Sequence, residues 1–166
     1  MPKIGLSLGS NLGDRLANLS IAVRRLEPVR SSEHFLVSSV YETDPVGCPP
    51  GSPSFYNATI EIETELTPLA LLEETQRLEI QMGREEDHEK NAPRPIDIDL
   101  LYYGDLVVES PDLALPHPRM YQREFVLRPL REIRPDLVSE ELLSSVSNQE
   151  EKVAPIEGRI NVPDPV

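Results

Sequence analysis

The sequence predicts an α+β fold, with helices packed on one face of an antiparallel sheet. Two features of the 166 residues lead to this prediction. Segments with apolar residues at every second position, typical of half-buried strands, alternate with segments whose apolar residues recur at helical spacing. The resulting order is strand, helix, strand, strand, helix, strand, followed by a hairpin and short helices. This order is the split βαβ arrangement of a ferredoxin-like sandwich.

The first strand and the first helix meet at a glycine-containing turn over residues 9–13. Pro28 ends the predicted helix. The apolar residues of the two elements are Ile4, Leu6 and Leu8, then Leu12, Leu16, Leu19, Val23 and Leu26. The turn lacks both the P-loop ending and the three-glycine dinucleotide pattern. We therefore interpret it as a tight strand-to-helix connection rather than a phosphate cradle.

Two further strands are predicted on either side of a proline-rich loop. Alternating residues predict one strand over 34–42 and another over 55–63. In the latter, Ala58, Ile60 and Ile62 are expected to face in, and Thr59, Glu61 and Glu63 to face out. Residues 43–53 contain four prolines and two glycines. They predict a long loop of restricted shape, which can carry binding groups.

A second helix and a charged segment follow. Thr67 is a candidate N-cap, and Pro68 suits the first helical position. The helix is expected to continue to Met82 and to end at Gly83. The charge-dense run over 84–90 has no apolar periodicity, so we interpret it as a solvated loop that could serve as a mobile lid.

In the last third of the domain, the sequence predicts only short secondary-structure elements. Residues 104–105 have the composition of a hairpin turn, from which 106–108 would return. Apolar residues over 125–133 predict a short helix or a pair of turns.

The composition indicates one globular domain without a nucleic-acid partner. The net charge of −13 argues against the basic face that nucleic-acid binding requires. The single cysteine, Cys48, excludes an internal disulfide and is interpreted as a bystander. We assign 1–138 to a single domain and 139–166 to an acidic, proline-containing, partly flexible tail, with a short helix over 140–146. Together with the single cysteine, the absence of a signal peptide or a long apolar run predicts a cytoplasmic protein with no membrane partner. We also expect a monomer.

Two acids on one predicted strand give the strongest functional signal. After Arg94, acidic and apolar residues alternate, so Asp97 and Asp99 point to one face and Ile98 to the other. The two carboxylates would lie about 6.5 Å apart, a spacing that suits Mg²⁺ shared with substrate phosphates. Arg94 could hold a phosphate in its planar fork. The pattern suggests phosphoryl transfer, and the alternative is an ordinary solvent face with Arg94 paired to one acid.

Two other polar residues each leave two interpretations open. Asn57 offers donors and acceptors that could recognise an amide-like edge, or it only begins a strand. His117 is held between two prolines, with Arg119 and Arg123 nearby, and either contacts a phosphate or packs its loop.

The acid pair belongs to a longer motif that resembles a family signature. Lys90-x-Ala92-Pro93-Arg94-x-x-Asp97-Ile98-Asp99-Leu100-Leu101 is similar to the signature of the 6-hydroxymethyl-7,8-dihydropterin pyrophosphokinases of the folate pathway. Five further motifs resemble the same family in the same order, as far as about Val138. They are Gly9-Ser10-Asn11-Leu12, Tyr41-x-Thr43 with Pro45-x-Gly47, Phe55-Tyr56-Asn57-Ala58, Gln76-Arg77-x-Glu79 with Gly83-Arg84, and Pro116-His117-Pro118 with Arg123-x-Phe125.

The resemblance implies an activity and a set of residue roles. Pyrophosphate would pass from ATP to the hydroxymethyl group of the pterin, releasing AMP, with two Mg²⁺ ions held by Asp97 and Asp99. The implied catalytic residues are Arg94, Asp97 and Asp99. The implied pterin-binding residues are Thr43, Val46, Phe55, Asn57 and Phe125. The implied ATP-binding residues are Gln76, Arg84, Arg94, Ile98, His117 and Arg123, with Glu79 as an acid just behind the residues that touch the ligands.

The segment before Pro93 departs from many members of that family. Those members often carry a tryptophan and extra arginines there, whereas this chain has Glu86, Lys90 and Asn91, and Ala92 in place of the commoner glycine. We expect a weaker closed state of the lid rather than a different reaction. Two rival functions stay open, a small-ligand binding module and a metal-dependent phosphodiesterase.

Overall fold

The computed structural model describes residues 1–45, 49–83, 92–147 and 152–160 of the chain. Within these residues the chain forms eight strands. They are β1 (Lys3–Ser10), β2 (Phe35–Val37), β3 (Tyr41–Thr43), β4 (Phe55–Glu63), β5 (Asp97–Tyr103), β6 (Val108–Glu109), β7 (Ala114–Leu115) and β8 (Val153–Pro155). One antiparallel sheet has the order β5-β1-β4-β3-β8, with β2 also paired to β4, and β6 pairs with β7 separately.

The same described residues contain four α-helices. They are α1 (Arg15–Leu26), α2 (Pro68–Gln81), α3 (Glu124–Ile133) and α4 (Glu140–Val146). Asp14 caps α1 by accepting a hydrogen bond from the Ala17 N–H at 3.1 Å, and Thr67 caps α2 in the same way from Ala70 at 3.2 Å. Each cap satisfies a backbone donor that the first helical turn leaves without an internal partner.

The helices lie on two sides of the sheet. Leu19 of α1 and Leu71 of α2 pack with the inward side chains of β1 and β4 in the larger core. On the opposite face, α3 packs against β4 and forms a smaller core that includes Leu127 and Tyr102. The predicted α+β sandwich is confirmed, and α3 adds a partial third layer.

The predicted outward residues of β4 are an exception to the alternation rule. Thr59 and Glu61 are fully buried although they lie on the polar face of the strand. They are buried because α3 covers this part of the face. The sequence pattern of β4 alone did not indicate that a later helix would lie there.

The predicted second strand is in fact two strands. At the break, the Ser38 N–H donates to the Thr59 carbonyl at 2.9 Å, while the Ser38 Oγ accepts from the Thr59 N–H at 2.9 Å. A side-chain oxygen thus takes the place of a ladder carbonyl, and the chain leaves the register between β2 and β3. The prediction of one continuous strand over 34–42 was therefore wrong.

The predicted hairpin with its turn at 104–105 was wrong, and a different hairpin lies further along the chain. Residues 104–105 form a turn that ends β5, and residues 106–107 are exposed instead of returning along it. The hairpin joins β6 to β7, and its turn is closed by the Ser110 N–H donating to the Leu113 carbonyl at 3.0 Å. The helices predicted over 125–133 and 140–146 are present as α3 and α4.

Part of the predicted tail belongs to the sheet. β8 pairs antiparallel with β3, and Ile160 lies in the larger core. The division at residue 138 stays a prediction. Across the described ranges, no helix has the length and apolar character needed to cross a membrane.

Candidate active site

The predicted metal ligands lie on the face of the sheet that also carries α3. In the strand register, Gly9 of β1 stands opposite Asp97 on one side and Asn57 on the other. Residues directly opposite in antiparallel strands point to the same face, so Asp97 and Asn57 share it. Along β5, Asp97 and Asp99 are partly exposed whereas Ile98 is buried. The two carboxylates therefore lie on one face, as the alternation predicts.

Arg94 lies in the loop just before β5 and is aimed at the same region. Its side chain is only 13% exposed, and its Nη2 lies 3.5 Å from Asp97 Oδ2. Nη1 donates to the Ala92 carbonyl at 2.9 Å, and the guanidinium carbon is 5.3 Å from the centre of the Phe55 ring. The buried Nε has no hydrogen-bond partner in the described part of the chain. A buried donor in this state is stabilised by an anionic ligand that accepts from it.

Glu79 ties helix α2 to the strand that carries the acids. This buried residue accepts a hydrogen bond on Oε2 from the Ile98 N–H at 3.0 Å. The contact falls midway between Asp97 and Asp99, so it fixes the backbone from which both carboxylates project. The Ile98 side chain is turned into the core, and its N–H is bonded to Glu79. The predicted contact of this residue with ATP would therefore use its backbone carbonyl.

Asn11 fixes the loop that presents Arg94. Its backbone N–H donates to the Arg94 carbonyl at 3.1 Å, and its Oδ1 accepts from the Arg94 N–H at 2.8 Å. Its Nδ2 also reaches the Pro53 carbonyl at 3.4 Å, in the proline-rich loop. Sequence reasoning interpreted residues 9–13 as a simple turn and missed this role. A polar residue after a buried strand was the available signal, but it did not indicate a partner 83 positions away.

Three of the predicted pterin-binding residues form one group. Asn57 donates through Nδ2 to Thr43 Oγ1 at 2.7 Å, and both residues are buried. Phe55 stands opposite Thr43 in the register. A Cβ atom on Gly9 would lie 2.7 Å from Asn57 Oδ1 and 3.5 Å from Phe55 Cδ1. Glycine at this position therefore leaves the space that the Asn57 amide occupies.

His117 lies in the loop after β7, where it is partly buried and is affected by the charge of Asp97. Its backbone N–H donates to the Leu101 carbonyl at 2.7 Å, and its ring Nδ1 accepts from the backbone N–H of Arg119 at 3.1 Å. This network assigns the proton of the neutral ring to Nε2. Burial and the charges of Arg123 and Arg119 lower the pKa of His117, although Asp97 acts in the opposite direction. The ring is thus a neutral donor near the acids.

The other predicted residues are placed less directly. Phe125 lies in the first turn of α3, where the Arg123 guanidinium carbon is 5.6 Å from its ring centre. Gln76 is exposed on α2, and its contact with ATP stays a prediction. The residues with a prediction that lie outside the described ranges are Val46, Gly47 and Cys48, and the whole predicted lid over 84–90 with Asn91 after it, including Arg84, Glu86 and Lys90.

The donor set suits a magnesium ion that is shared with a ligand. In the described residues, no three His, Cys, Asp or Glu side chains gather to hold a metal ion by themselves. Mg²⁺ usually takes one or two carboxylates and completes its octahedron with phosphate oxygens and water. Asp97 and Asp99, beside the buried Arg94, fit that pattern and do not fit a closed zinc site.

Comparisons with known proteins cover the same region. The model of the family described as 7,8-dihydro-6-hydroxymethylpterin-pyrophosphokinase (HPPK) matches residues 5–135. A relative from Bacillus subtilis (strain 168), named 2-amino-4-hydroxy-6-hydroxymethyldihydropteridine pyrophosphokinase, is 43% identical over 145 residues, which cover 87% of this chain and 85% of the relative. A protein of the same name from Haemophilus influenzae is 39% identical over 133 residues, covering 80% of this chain and 82% of its own.

A solved structure gives independent support for the fold. Plasmodium falciparum HPPK-DHPS, crystallised with pterin and p-hydroxybenzoate, has a TM-score of 0.63 over 87% of this chain, at 16% sequence identity. This chain spans 41% of that longer chain. The matched family model includes Gly9, Asp97, Asp99 and His117, and the two bacterial relatives match over most of their length. The resemblance carried by the motifs is thus confirmed, and the chain belongs to the 7,8-dihydro-6-hydroxymethylpterin-pyrophosphokinase family.

Proposed function

We propose that this chain transfers pyrophosphate from ATP to the hydroxymethyl group of 6-hydroxymethyl-7,8-dihydropterin, releasing AMP, as a step of folate biosynthesis. The observation that carries the proposal is the acid pair on one face of β5 beside Arg94. That arginine is largely buried, and its Nε has no hydrogen-bond partner in the described residues. Two carboxylates and a buried cationic donor in one place suit a polyphosphate with its magnesium.

On the phosphate side, Asp97 and Asp99 would hold two Mg²⁺ ions. When bound, Mg²⁺ neutralises the triphosphate and polarises its oxygens. Arg94 donates to a phosphate oxygen through the nitrogen that lacks a partner, and His117 donates through Nε2. Arg123 adds positive charge. Such transfers depend on alignment and charge neutralisation rather than on a covalent intermediate with the protein.

Three further ATP contacts complete this proposal. Gln76 on α2, Arg84 in the predicted lid and the backbone of Ile98 are assigned to ATP on the family resemblance. The substitutions in the predicted lid lead us to expect weaker closure over the nucleotide and the same reaction.

On the pterin side, Asn57 reads the mixed donor and acceptor edge of the ring, and Thr43 holds the Asn57 amide in place. Val46 contributes through its backbone, while Phe55 and Phe125 supply flat apolar surface for the ring. The bound hydroxymethyl oxygen then forms a bond to the β-phosphorus of ATP. The bond between that phosphorus and the oxygen leading to the α-phosphorus breaks, AMP leaves with this oxygen, and the proton of the alcohol passes to water.

The test is to incubate the purified chain with ATP, MgCl₂ and 6-hydroxymethyl-7,8-dihydropterin and to measure AMP. We expect AMP and the pyrophosphorylated pterin in equal amounts, and neither product when the pterin or Mg²⁺ is left out. Release of inorganic phosphate without pterin would indicate a hydrolase. Binding of ATP without any AMP would indicate a binding module, and either result would refute the proposal. A cytoplasmic location and a monomeric state remain predictions.

A further inference from the structure

The segment 152–160, which we name the C-terminal clamp, closes the edge of the sheet next to the proposed pterin site. Its strand β8 pairs with β3 so that Val153 stands opposite Thr43. Beyond the strand, the Asp44 N–H donates to the Lys152 carbonyl at 3.3 Å. The Lys152 N–H returns a bond of 2.9 Å to Asp44 Oδ2. The clamp therefore pairs with β3 as far as Thr43 and binds the backbone and side chain of the next residue, Asp44.

The register of this ladder explains why a proline is tolerated in β8. In an antiparallel pair, positions that exchange hydrogen bonds alternate with positions that do not. Lys152 is hydrogen-bonded to the residue after β3, and the Ile156 N–H donates to the Val40 carbonyl at 3.0 Å. Ala154 lies two positions from each of them, so it is also at a position that exchanges hydrogen bonds with β3. Pro155 falls between them, where its missing N–H costs no ladder bond.

The far end of the clamp is anchored in the body of the domain. Ile160 is buried in the larger core, and Ile156 packs against that core. Gly158 passes so close to α1 that a Cβ atom there would lie 2.7 Å from Leu16 Cδ2. Apolar burial of this kind gives a three-residue strand the support that its few ladder bonds would not supply.

β3 itself is short and lies between two neighbours. On its inner side, Thr43 accepts the Asn57 amide and stands opposite Phe55. On its outer side, in the described residues, only β8 pairs with it. An unsupported three-residue edge strand frays readily, so the position of Thr43 depends on both neighbours.

We propose that the C-terminal clamp is a positioning element for the pterin: it fixes Thr43 and the start of the proline-rich loop, and thereby the Asn57 amide. This inference rests on the proposed function. The clamp lies beyond residue 135, where the match to the family model ends. Because it touches β3 and not β5, its loss weakens binding of the pterin and leaves the phosphate side unchanged.

A matched pair of full-length variants tests the inference. Ala154→Pro removes a ladder N–H, whereas Ala154→Val keeps it and adds only a strand-favouring side chain. We expect Ala154→Pro to raise KM for the pterin by about 5- to 20-fold, which corresponds to one or two lost backbone hydrogen bonds. KM for ATP and kcat should stay within about twofold, and Ala154→Val should behave as the unchanged protein.

A second variant keeps the test decisive if Ala154→Pro does not fold. Asp44→Ala removes the acceptor of the Lys152 N–H from an exposed position. The matched control is Asp112→Ala, another exposed acid, on the turn between β6 and β7. We expect Asp44→Ala to raise KM for the pterin about threefold and to speed amide exchange at Glu42, whose N–H faces β8, and Asp112→Ala to do neither.

The outcomes separate this inference from the proposed function. If the unchanged protein makes no AMP, the function fails. If it makes AMP and a folded variant, either Ala154→Pro or Asp44→Ala, shows an unchanged KM for the pterin, the clamp has no positioning role. An equal rise of both KM values would show a general loss of structure and would also overturn the inference.

Discussion

Replacing Gly9 with alanine tests how tightly the pterin side of the site is built. The new Cβ would lie 2.7 Å from Asn57 Oδ1, whereas ordinary contacts begin at 3.4 Å. The amide must therefore withdraw by the difference, about 0.7 Å. The Cβ would also meet Phe55 Cδ1 at 3.5 Å, which is an acceptable contact.

The size of the effect follows from the hydrogen bond that Asn57 makes. Thr43 on β3 lies on the opposite side of β4 from Gly9, so this withdrawal pushes the amide toward Thr43 Oγ1, which Nδ2 already contacts at 2.7 Å. A donor and an acceptor cannot come much closer than this, so the amide must rotate out of the bond. Loss of one buried hydrogen bond costs about 1–2 kcal/mol. If the cost falls on the bound state, KM for the pterin rises about 5- to 30-fold. KM for ATP should change little, because Asp97 and Arg94 do not contact the new methyl group.

The assay is steady-state AMP production with each substrate varied in turn, for Gly9→Ala, Asn57→Ala and the double variant. Asn57→Ala should itself raise KM for the pterin more than KM for ATP. If the clash with the Asn57 amide is the cause, Gly9→Ala should add less than twofold in the Asn57→Ala background. A full, multiplicative effect in that background would refute the reasoning, since the methyl group would then act through something other than Asn57.

Three further predictions concern the acids. Asp97→Ala or Asp99→Ala should reduce AMP production to background while the melting temperature stays within about 5 °C; normal turnover in either variant would exclude the proposed metal role. Glu79→Ala, which removes the acceptor of the Ile98 N–H, should lower kcat about tenfold, whereas Glu79→Gln keeps an acceptor oxygen and should lose less; equal losses would indicate that the charge, not the bond, matters. Burial acts to raise the pKa of Glu61, but its hydrogen bonds together hold the pKa below the ordinary 4.5. The unfolded chain therefore binds the proton more readily, so stability is fully present above pH 4.5 and is lost as the pH falls below it. Melting curves between pH 6 and pH 3 should show this loss in the unchanged protein and a shallower one in Glu61→Gln; parallel curves would contradict it.

The fold could be predicted largely because local patterns fix it. Alternation and helical spacing indicated β1, β4, β5, α1 and α2, and the order of elements then restricts the topology. Two of the failures have a common cause, which is that a later segment changes the environment of an earlier one. Residue 61 is buried because α3 covers it, and β8 joins the sheet through its pairing with β3.

The candidate site shows the same limit. The alternation along β5 was enough to place Asp97 and Asp99 on one face, since that is a property of a single strand. The role of Asn11 depends on a contact with Arg94 across 83 positions. The role of Gly9 depends on the register of β1 with β4. The contact and the register both join segments that are far apart in the sequence. Only the three-dimensional structure therefore identifies Asn11 and Gly9 as supporting residues.

The polar face of β4 shows why coverage, rather than residue type, decides which of its side chains can bind a ligand. At Asn57 the face lies next to Asp97, with Gly9 between them, and our proposal assigns the amide to the edge of the pterin ring. Four residues further along β4, Glu61 is fully buried. It must therefore be neutralised internally, and it accepts from His34 Nε2 at 2.7 Å, from Arg134 Nη1 at 2.6 Å and from the Tyr102 hydroxyl. Those three donors satisfy the carboxylate so completely that it has no capacity left for a substrate. The same strand thus carries a proposed binding residue at one end and a structural anion at the other, and α3 covers only the second of them.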